Sequence, residues 1–285
     1  MNAAGPVLAL PEVTLCAVTG RLIPLTLDAM DKARACATFG DVLFVTDRPD
    51  QVPASADMRV VAVPDLQSRE RYSLVVQQEL ARHVRTAFVM IVQWDGYPVR
   101  PANWTGAFLD HDYIGAPWPQ FAPPHAVGNG GFSLRSRRLL EACLDPRFVP
   151  GHPEDLGICH RNRDLLEGAL GLRFAPAELA ARFSYERSGV AGDAFGFHGL
   201  FNMPSEMGMA AFLDLFRALD LADIGSRELC DLRDVLMAAD TRESRAAAGD
   251  ILRFLLRFRW KETLVLRALG RDLLRPFHGH AGAGR

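Results

Sequence analysis

The 285-residue chain sets 32 Lys and Arg against 34 Asp and Glu, a formal net charge of −2, with 49% apolar residues, the make-up of an ordinary globular protein. That balance excludes the basic domain that nucleic-acid binding calls for, and no apolar run reaches the length of a bilayer span. The five cysteines, Cys16, Cys36, Cys143, Cys159 and Cys230, are scattered without C-x-x-C spacing. They read as reduced thiols of a cytosolic protein, not as a disulfide or zinc framework.

The opening MNAAGPVLALPEVTL has no basic start, and Pro6 and Pro11 bracket its short apolar stretch, so it does not read as a signal peptide. Val13–Thr19 is short, apolar and β-branched and predicts a first strand. Leu25–Thr38 carries apolar residues at helical spacing, with Gly40 as its stop. Asp41–Thr46 predicts a second buried strand and Val60–Val63 a short third. Tyr72–Val84 predicts a helix and Phe88–Val92 a fourth strand. This alternation predicts an α/β domain built on a mainly parallel sheet. Ligands of such sheets gather beyond the carboxyl ends of the strands, where Thr19, Asp47 and Asp95 fall. Residues 97–135, rich in aromatics, Gly and Pro, predict short strands of a second, mixed sheet. Short helices follow over Ser136–Leu144 and Asp155–Gly168, and residues 183–201 read as a loop ending in FGFHG. From Ser205 onward the pattern is helical. The expected organisation is one α/β domain over 1–204 and a helical region over 205–285, with HGHAGAGR as a frayed end.

Four segments carry chemistry. In QWDG, Asp95 ends a buried strand with Gly96 letting the chain turn, which suits a hard divalent cation shared with phosphate. Gln93 is placed by strand alternation on the same side and offers a weaker carbonyl oxygen. Taken alone, Asp95 reads more simply as a turn cap. In GNGGFSLRS, Gly128, Gly130 and Gly131 around Asn129 permit positive φ or close backbone approach to a ligand, and a glycine-rich bulge fits equally. The segment is neither a P-loop nor a dinucleotide fingerprint. In HPEDLG, Glu154 and Asp155 stand at a helix start, as caps or as a general base with a hydroxyl-binding neighbour. In FGFHG, His198 between aromatic and glycine residues suits packing as well as ligation. Trp94, Trp104, Tyr113 and Trp118 fit sugar stacking and core packing alike.

Together and in this order, QWDG, DYIGAPWP, GNGGFSLRS, HPEDLGIC and FGFHG resemble the nucleotide-sugar-dependent glycosyltransferases of the GT-A fold, over roughly residues 13–201. More narrowly they resemble a bacterial GT-A-like family of undefined specificity. The resemblance implies a Rossmann-like, mainly parallel sheet with a smaller mixed sheet. It implies transfer of a sugar from a nucleoside-diphosphate donor to a glycan, lipid-linked or envelope-polysaccharide acceptor. By matching motif positions, Asp95 would bind a divalent metal (Mn2+ or Mg2+) and the diphosphate, and His198 would complete that site. Asn129, Gly130 and Gly131 would border the donor sugar, and Thr19 and Asp47 would face base and ribose. Asp155 would be the base of an inverting displacement, with Glu154 on acceptor hydroxyls. The departure is Gln93, standing where the D-x-D pattern has its first acid. It weakens metal binding, and Arg71 on the diphosphate is the expected substitute cation.

Two other function classes stay in view. Gln93 feeds a non-catalytic carbohydrate- or nucleotide-binding module on a degenerate transferase scaffold, and the acidic pair speaks against it. A hydrolase using Glu154 and Asp155 would need carboxyls about 5–10 Å apart, which adjacent residues reach only by pointing apart. From Arg242 to Arg285 ten basic residues face four acidic ones, a balance of +6. That stretch reads either as a helix packing its apolar stripe on the catalytic domain or, over 242–277, as a peripheral membrane contact.

Overall fold

The computed structural model describes residues 8–263 and 265–267. Strand β1 (Leu8–Val18) leads into helix α1 (Ile23–Cys36), strand β2 (Ala37–Thr46) and strand β3 (Arg59–Ala62). Helix α2 opens at Arg69–Leu74, its first turn capped by the Ser68 hydroxyl, and runs on through a wider turn to Arg82. Strands β4 (Phe88–Ile91), β5 (Gly96–Pro98), β6 (Tyr113–Gly115) and β7 (Ser133–Ser136) follow, then helix α3 (Arg137–Ala142). The α4 turn (Glu154–Leu156), α5 (Ala177–Phe183), β8 (Ser184–Tyr185) and β9 (Gly196–His198) complete the first of two compact units, Met1–His198.

Six strands form one sheet in the order β3-β2-β1-β4-β7-β6, and three form a second in the order β5-β9-β8. In the large sheet β1, β2, β3 and β4 are parallel, while β7 runs antiparallel to β4 and β6. The small sheet is mixed, with β9 antiparallel to β5 and parallel to β8. This is the expected fold class: a mainly parallel central sheet, a smaller mixed sheet and helices at the C-terminal end.

The unbroken apolar runs of β1, β2 and β4 are required because both faces of those strands are covered. On one face Cys16, Val18, Leu43, Val45, Val89 and Ile91 pack with Val75, Val76, Leu80 and Val84 of the α2 helical run and with Leu140. Each such apolar side chain contributes about 1.5–3 kcal/mol on burial.

Two expectations are corrected at the start of the chain. The first strand begins at Leu8, ahead of Pro11, because β1 tolerates the proline at a register shift between Leu10 and Thr14. The first helix stops at Cys36, and Gly40 lies inside β2 instead of ending the helix. A Cβ at Gly40 would fall 1.9 Å from the Pro11 carbonyl oxygen. Gly40 therefore serves close strand approach.

The second compact unit is Gly199–Arg285. The short helix α6 (Met203–Met207) precedes α7 (Met209–Arg217), α8 (Ser226–Ala239) and α9 (Arg242–Phe258). Thr241 and Ser244 cap α9 reciprocally, and Ala247, Ala248, Ile251 and Leu255 form its buried stripe, packed with α8 and α7. At its far end the Arg259 guanidinium donates to the carbonyls of Ile224 and Ala222 beside the start of α8. Of the two readings of 242–277, helix packing describes the apolar stripe of α9, whose partners are α7 and α8. Residues 268–277 and the HGHAGAGR end lie outside the described residues, as do 1–7 of the segment read for a leader. Among the described residues no helix is long and apolar enough to cross a membrane.

Candidate active site

Strand register brings the motifs together. Ile91 at the end of β4 pairs with Ser133 at the start of β7, so QWDG and GNGG meet at one edge of the large sheet. Gly96, just after Asp95, pairs with His198 at the end of β9. FGFHG is thus a strand and not the expected loop tip. Its three paired residues are too few for a periodic signal to show.

The QWDG segment departs from simple alternation. Gln93 and Gly96 exchange two backbone hydrogen bonds of 3.0 Å, closing a tight turn with Trp94 and Asp95 at its corners. Gln93 and Asp95 still converge, through this turn and not through the pleat. Gln93 Oε1 lies 3.4 Å from His198 Nε2, and Asp95 Oδ1 lies 3.8 Å from the same nitrogen. The Gln93 amide Nε2 donates to the Tyr72 hydroxyl at 3.2 Å, which turns Oε1 toward the histidine. The Asp95 side chain is 5% exposed, and its Oδ1 is buried without a hydrogen bond.

The glycines of GNGG make room for side chains. A Cβ at Gly128 would fall 2.1 Å from the Trp118 ring, one at Gly130 1.8 Å from Glu154 Oε1, and one at Gly131 2.0 Å from His198 Nε2. The positive φ expected of these glycines belongs to Asn129, at 61°. Asn129 Oδ1 accepts from Gly131 N at 3.2 Å, and its Nδ2 donates to Glu186 Oε2 at 2.7 Å. Glu186 Oε1 lies 3.8 Å from His198 Nδ1 and is bridged by Arg187. Burial pushes the Glu186 carboxyl up, but His198, Arg187 and Asn129 beside it outweigh burial and hold it below the ordinary range.

The acidic pair divides. Glu154 is 4% exposed and accepts from the fully buried Arg135 guanidinium at 2.9 Å. Arg135 also donates to Ser133 Oγ and the Gly130 carbonyl, and lies over the Tyr113 ring. Burial works against the Arg135 charge, yet Glu154 together with Tyr113 and Tyr72 outweighs it and leaves the pKa raised. For Glu154 burial is the larger influence and pushes its carboxyl up against the pull of Arg135. The role expected of Glu154 on acceptor hydroxyls is corrected: a buried carboxylate held by an arginine is closed to an acceptor. The same burial removes the hydrolase pairing. Asp155 is half-buried, and its Oδ2 accepts from Gly130 N at 3.2 Å.

Thr19 and Asp47 stand at the ends of β1 and β2, as expected from the strands. Thr19 Oγ1 donates to the Arg21 carbonyl at 2.6 Å. Asp47 Oδ2 accepts from Leu66 N at 3.0 Å and from the Gln67 amide, with Oδ1 against Gly20. Arg71 is a correction: its guanidinium is paired with Glu79 and donates to the Pro64 carbonyl, so it is not poised as a substitute cation. Tyr113 and Trp118 belong to the core, and Trp104 packs edge-on against Phe108 and Phe195. Trp94, half-exposed on the QWDG turn, is the aromatic left beside the cluster. Sequence reasoning missed Arg135, Glu186 and Tyr72. Only Arg135 carried a signal, as a charge inside an alternating strand between buried residues.

Metal–ligand bonds of about 2.0–2.6 Å hold neighbouring ligands roughly 3–4 Å apart, the spacing of His198 Nε2 from Gln93 Oε1 and from Asp95 Oδ1. The buried Asp95 oxygen, lacking any donor, has the electrostatic need for one. Among the described residues no group of three or more His, Cys, Asp or Glu is arranged to hold a metal ion. Gln93, Asp95 and His198 would leave the other ligand positions of a cation to water and phosphate, as Mg2+ commonly takes them.

A protein-family profile described as "Protein of unknown function (DUF5672)" matches residues 57–198. That span holds the Gln93, Asp95, Asp155 and His198 cluster and leaves out Thr19 and Asp47. No curated protein matches the chain. Among solved structures, the mannosyltransferase PcManGT from Pyrobaculum calidifontis, in complex with GDP-Man and Mn2+, is similar at 13% identity. The alignment covers 95% of this chain and 84% of that one, with a TM-score of 0.41. The bifunctional IspDF from Campylobacter jejuni is similar at 10% identity over 59% of this chain and 48% of that one, with a TM-score of 0.35. Likenesses this distant carry nothing about the site.

Proposed function

We propose that the chain is a GT-A-type glycosyltransferase that moves a sugar from a nucleoside diphosphate to a hydroxyl of a glycan or lipid-linked acceptor, with inversion. One observation carries the reading. Asp155 engages the backbone of Gly130, while the Gln93, Asp95 and His198 cluster lies against the next residue, Gly131. A proton acceptor and a cation or diphosphate cluster thus flank one two-glycine stretch, where backbone can approach a sugar closely.

In this reading Asp155 takes the proton of the acceptor hydroxyl as it attacks the anomeric carbon. Asp95, His198 and Gln93 would hold a divalent cation, which when bound supplies charge stabilisation for the departing diphosphate. Asn129, Gly130 and Gly131 border the donor sugar, and Thr19 and Asp47, at the neighbouring strand ends, face the nucleoside. Glu154 has no part in binding; with Arg135 it fixes the wall against which Gly130 is set.

An Asp155→Asn enzyme is expected to keep its fold and donor affinity and to lose about 10²–10⁴-fold in kcat; near-normal transfer would remove Asp155 from the base role. NMR of the product anomer tests inversion independently, and a retained configuration would refute it. Among the rivals, a binding module would show a thermal shift with free sugar alone and no metal-dependent response to any nucleotide.

A further inference from the structure

His198 is held on three sides. Gly96 and Gly131 press on its ring: a Cβ on the first would lie 2.6 Å from Cδ2, and one on the second 2.0 Å from Nε2. On the third side stands Glu186, with an 8% exposed side chain and its Oε1 3.8 Å from Nδ1. Glu186 is itself fixed, with Oε2 accepting from Asn129 Nδ2 at 2.7 Å and Oε1 bridged by Arg187. The Nε2 edge faces Gln93 Oε1 at 3.4 Å, its amide oriented by Tyr72, and Asp95 Oδ1 at 3.8 Å. Both oxygens only accept, so without a cation Nε2 carries its proton toward them, and a cation at this edge would take that proton's place.

We infer that Glu186 is a positioning residue that takes the Nδ1 proton of His198 as a hydrogen bond and so presents the Nε2 lone pair, with Asp95 and Gln93, to a divalent cation. The inference rests on the reading of His198 as a cation ligand given above. Its physical basis is general. An imidazole has one lone pair to give, and the partner of the other nitrogen decides which one. Carboxylates behind ligating histidines set tautomer and ring angle, and their loss typically costs about 10–100-fold in metal affinity. The arrangement also gives Asn129 a purpose that a sugar-lining role does not require. Its left-handed backbone, unusual for a residue other than glycine, lets one side chain hold both Gly131 N and Glu186.

The test uses the full chain loaded with Cd2+ as a diamagnetic stand-in, in the presence of a nucleoside diphosphate. Nitrogen NMR of the wild type is expected to show coupling of the metal to His198 Nε2 and a protonated Nδ1. Coupling to Nδ1 instead would overturn the inference, and this measurement needs no variant. Glu186→Gln, whose amide can offer Nδ1 a hydrogen in place of an acceptor, is expected to bind Mn2+ ~10–100-fold more weakly by EPR titration. Equal Mn2+ affinity in the two folded proteins would overturn Glu186's role while leaving the cation site standing. A wild type that binds nucleoside diphosphate but neither metal would overturn this inference and spare the transferase reading. A wild type that binds metal as described but no nucleotide would leave this inference standing and defeat that reading.

Discussion

Two clusters of charge border Gly130 and Gly131, and they are built to different rules. On the Gly130 side Arg135 and Glu154 pair one cation with one anion, both buried, with Ser133 and a backbone carbonyl taking further guanidinium hydrogens. On the Gly131 side two carboxylates, Asp95 and Glu186, face His198, and Arg187 pairs with Glu186. The first cluster is balanced charge for charge, with Glu154 Oε2 and one Arg135 nitrogen buried without hydrogen bonds. The second keeps a surplus of oxygen on one edge of an imidazole, as a site for a cation should. Adjacent positions in the sequence thus border a buried ion pair on one side and the proposed cation cluster on the other.

The largest effect should come from unbalancing the first cluster. Arg135→Leu leaves Glu154 buried without its partner and is expected to cost about 3–5 kcal/mol in a denaturant melt; a loss under about 1 kcal/mol would show that the pair is not integral to the fold. The two glycines offer a sharper break. Gly130→Ala drives a methyl into the Arg135–Glu154 pair and should cost about 1–3 kcal/mol of stability. Gly131→Ala drives one into the tip of His198 and should lower Mn2+ affinity about tenfold or more, by analogy with lost ligand support. If both variants lose only stability, or both only metal, the contrast between the clusters fails. Gln93→Asp exchanges the neutral carbonyl for a carboxylate and should tighten Mn2+ binding by roughly tenfold, about 1.4 kcal/mol, measured by EPR titration. Tyr72→Phe releases the Gln93 amide and is expected to weaken it by about 0.5–1.5 kcal/mol, one hydrogen bond's worth.

Much of this was legible in sequence, and the exceptions share a cause. The β-branched runs of β1, β2 and β4 announced buried parallel strands because the chain had no polar face to give them. QWDG, GNGG, HPED and FGFHG pointed to one site because, together and in this order, they resemble the motifs of GT-A glycosyltransferases. What stayed hidden is set by partners far along the chain. Glu154 and Asp155 look interchangeable as neighbours, and only Arg135 on β7 decides which is closed off. Gly40 reads as a helix stop until Pro11 on β1 comes against it. Glu186 sits in a stretch without periodicity, and its meaning comes from Asn129 and His198. Arg71 offered a cation by composition, and Glu79, eight positions on, engages it.

The central claim is that the edge holding Asp95 and His198 binds the diphosphate of a nucleotide donor with a divalent cation. Calorimetric titration of a panel of nucleoside diphosphates and nucleotide sugars, with and without Mn2+, into wild type and Asp95→Asn tests it most directly. At least one member is expected to bind the wild type only with Mn2+, and Asp95→Asn to weaken that binding about tenfold or more. Binding by none of the panel, or equal binding by both proteins, would contradict it.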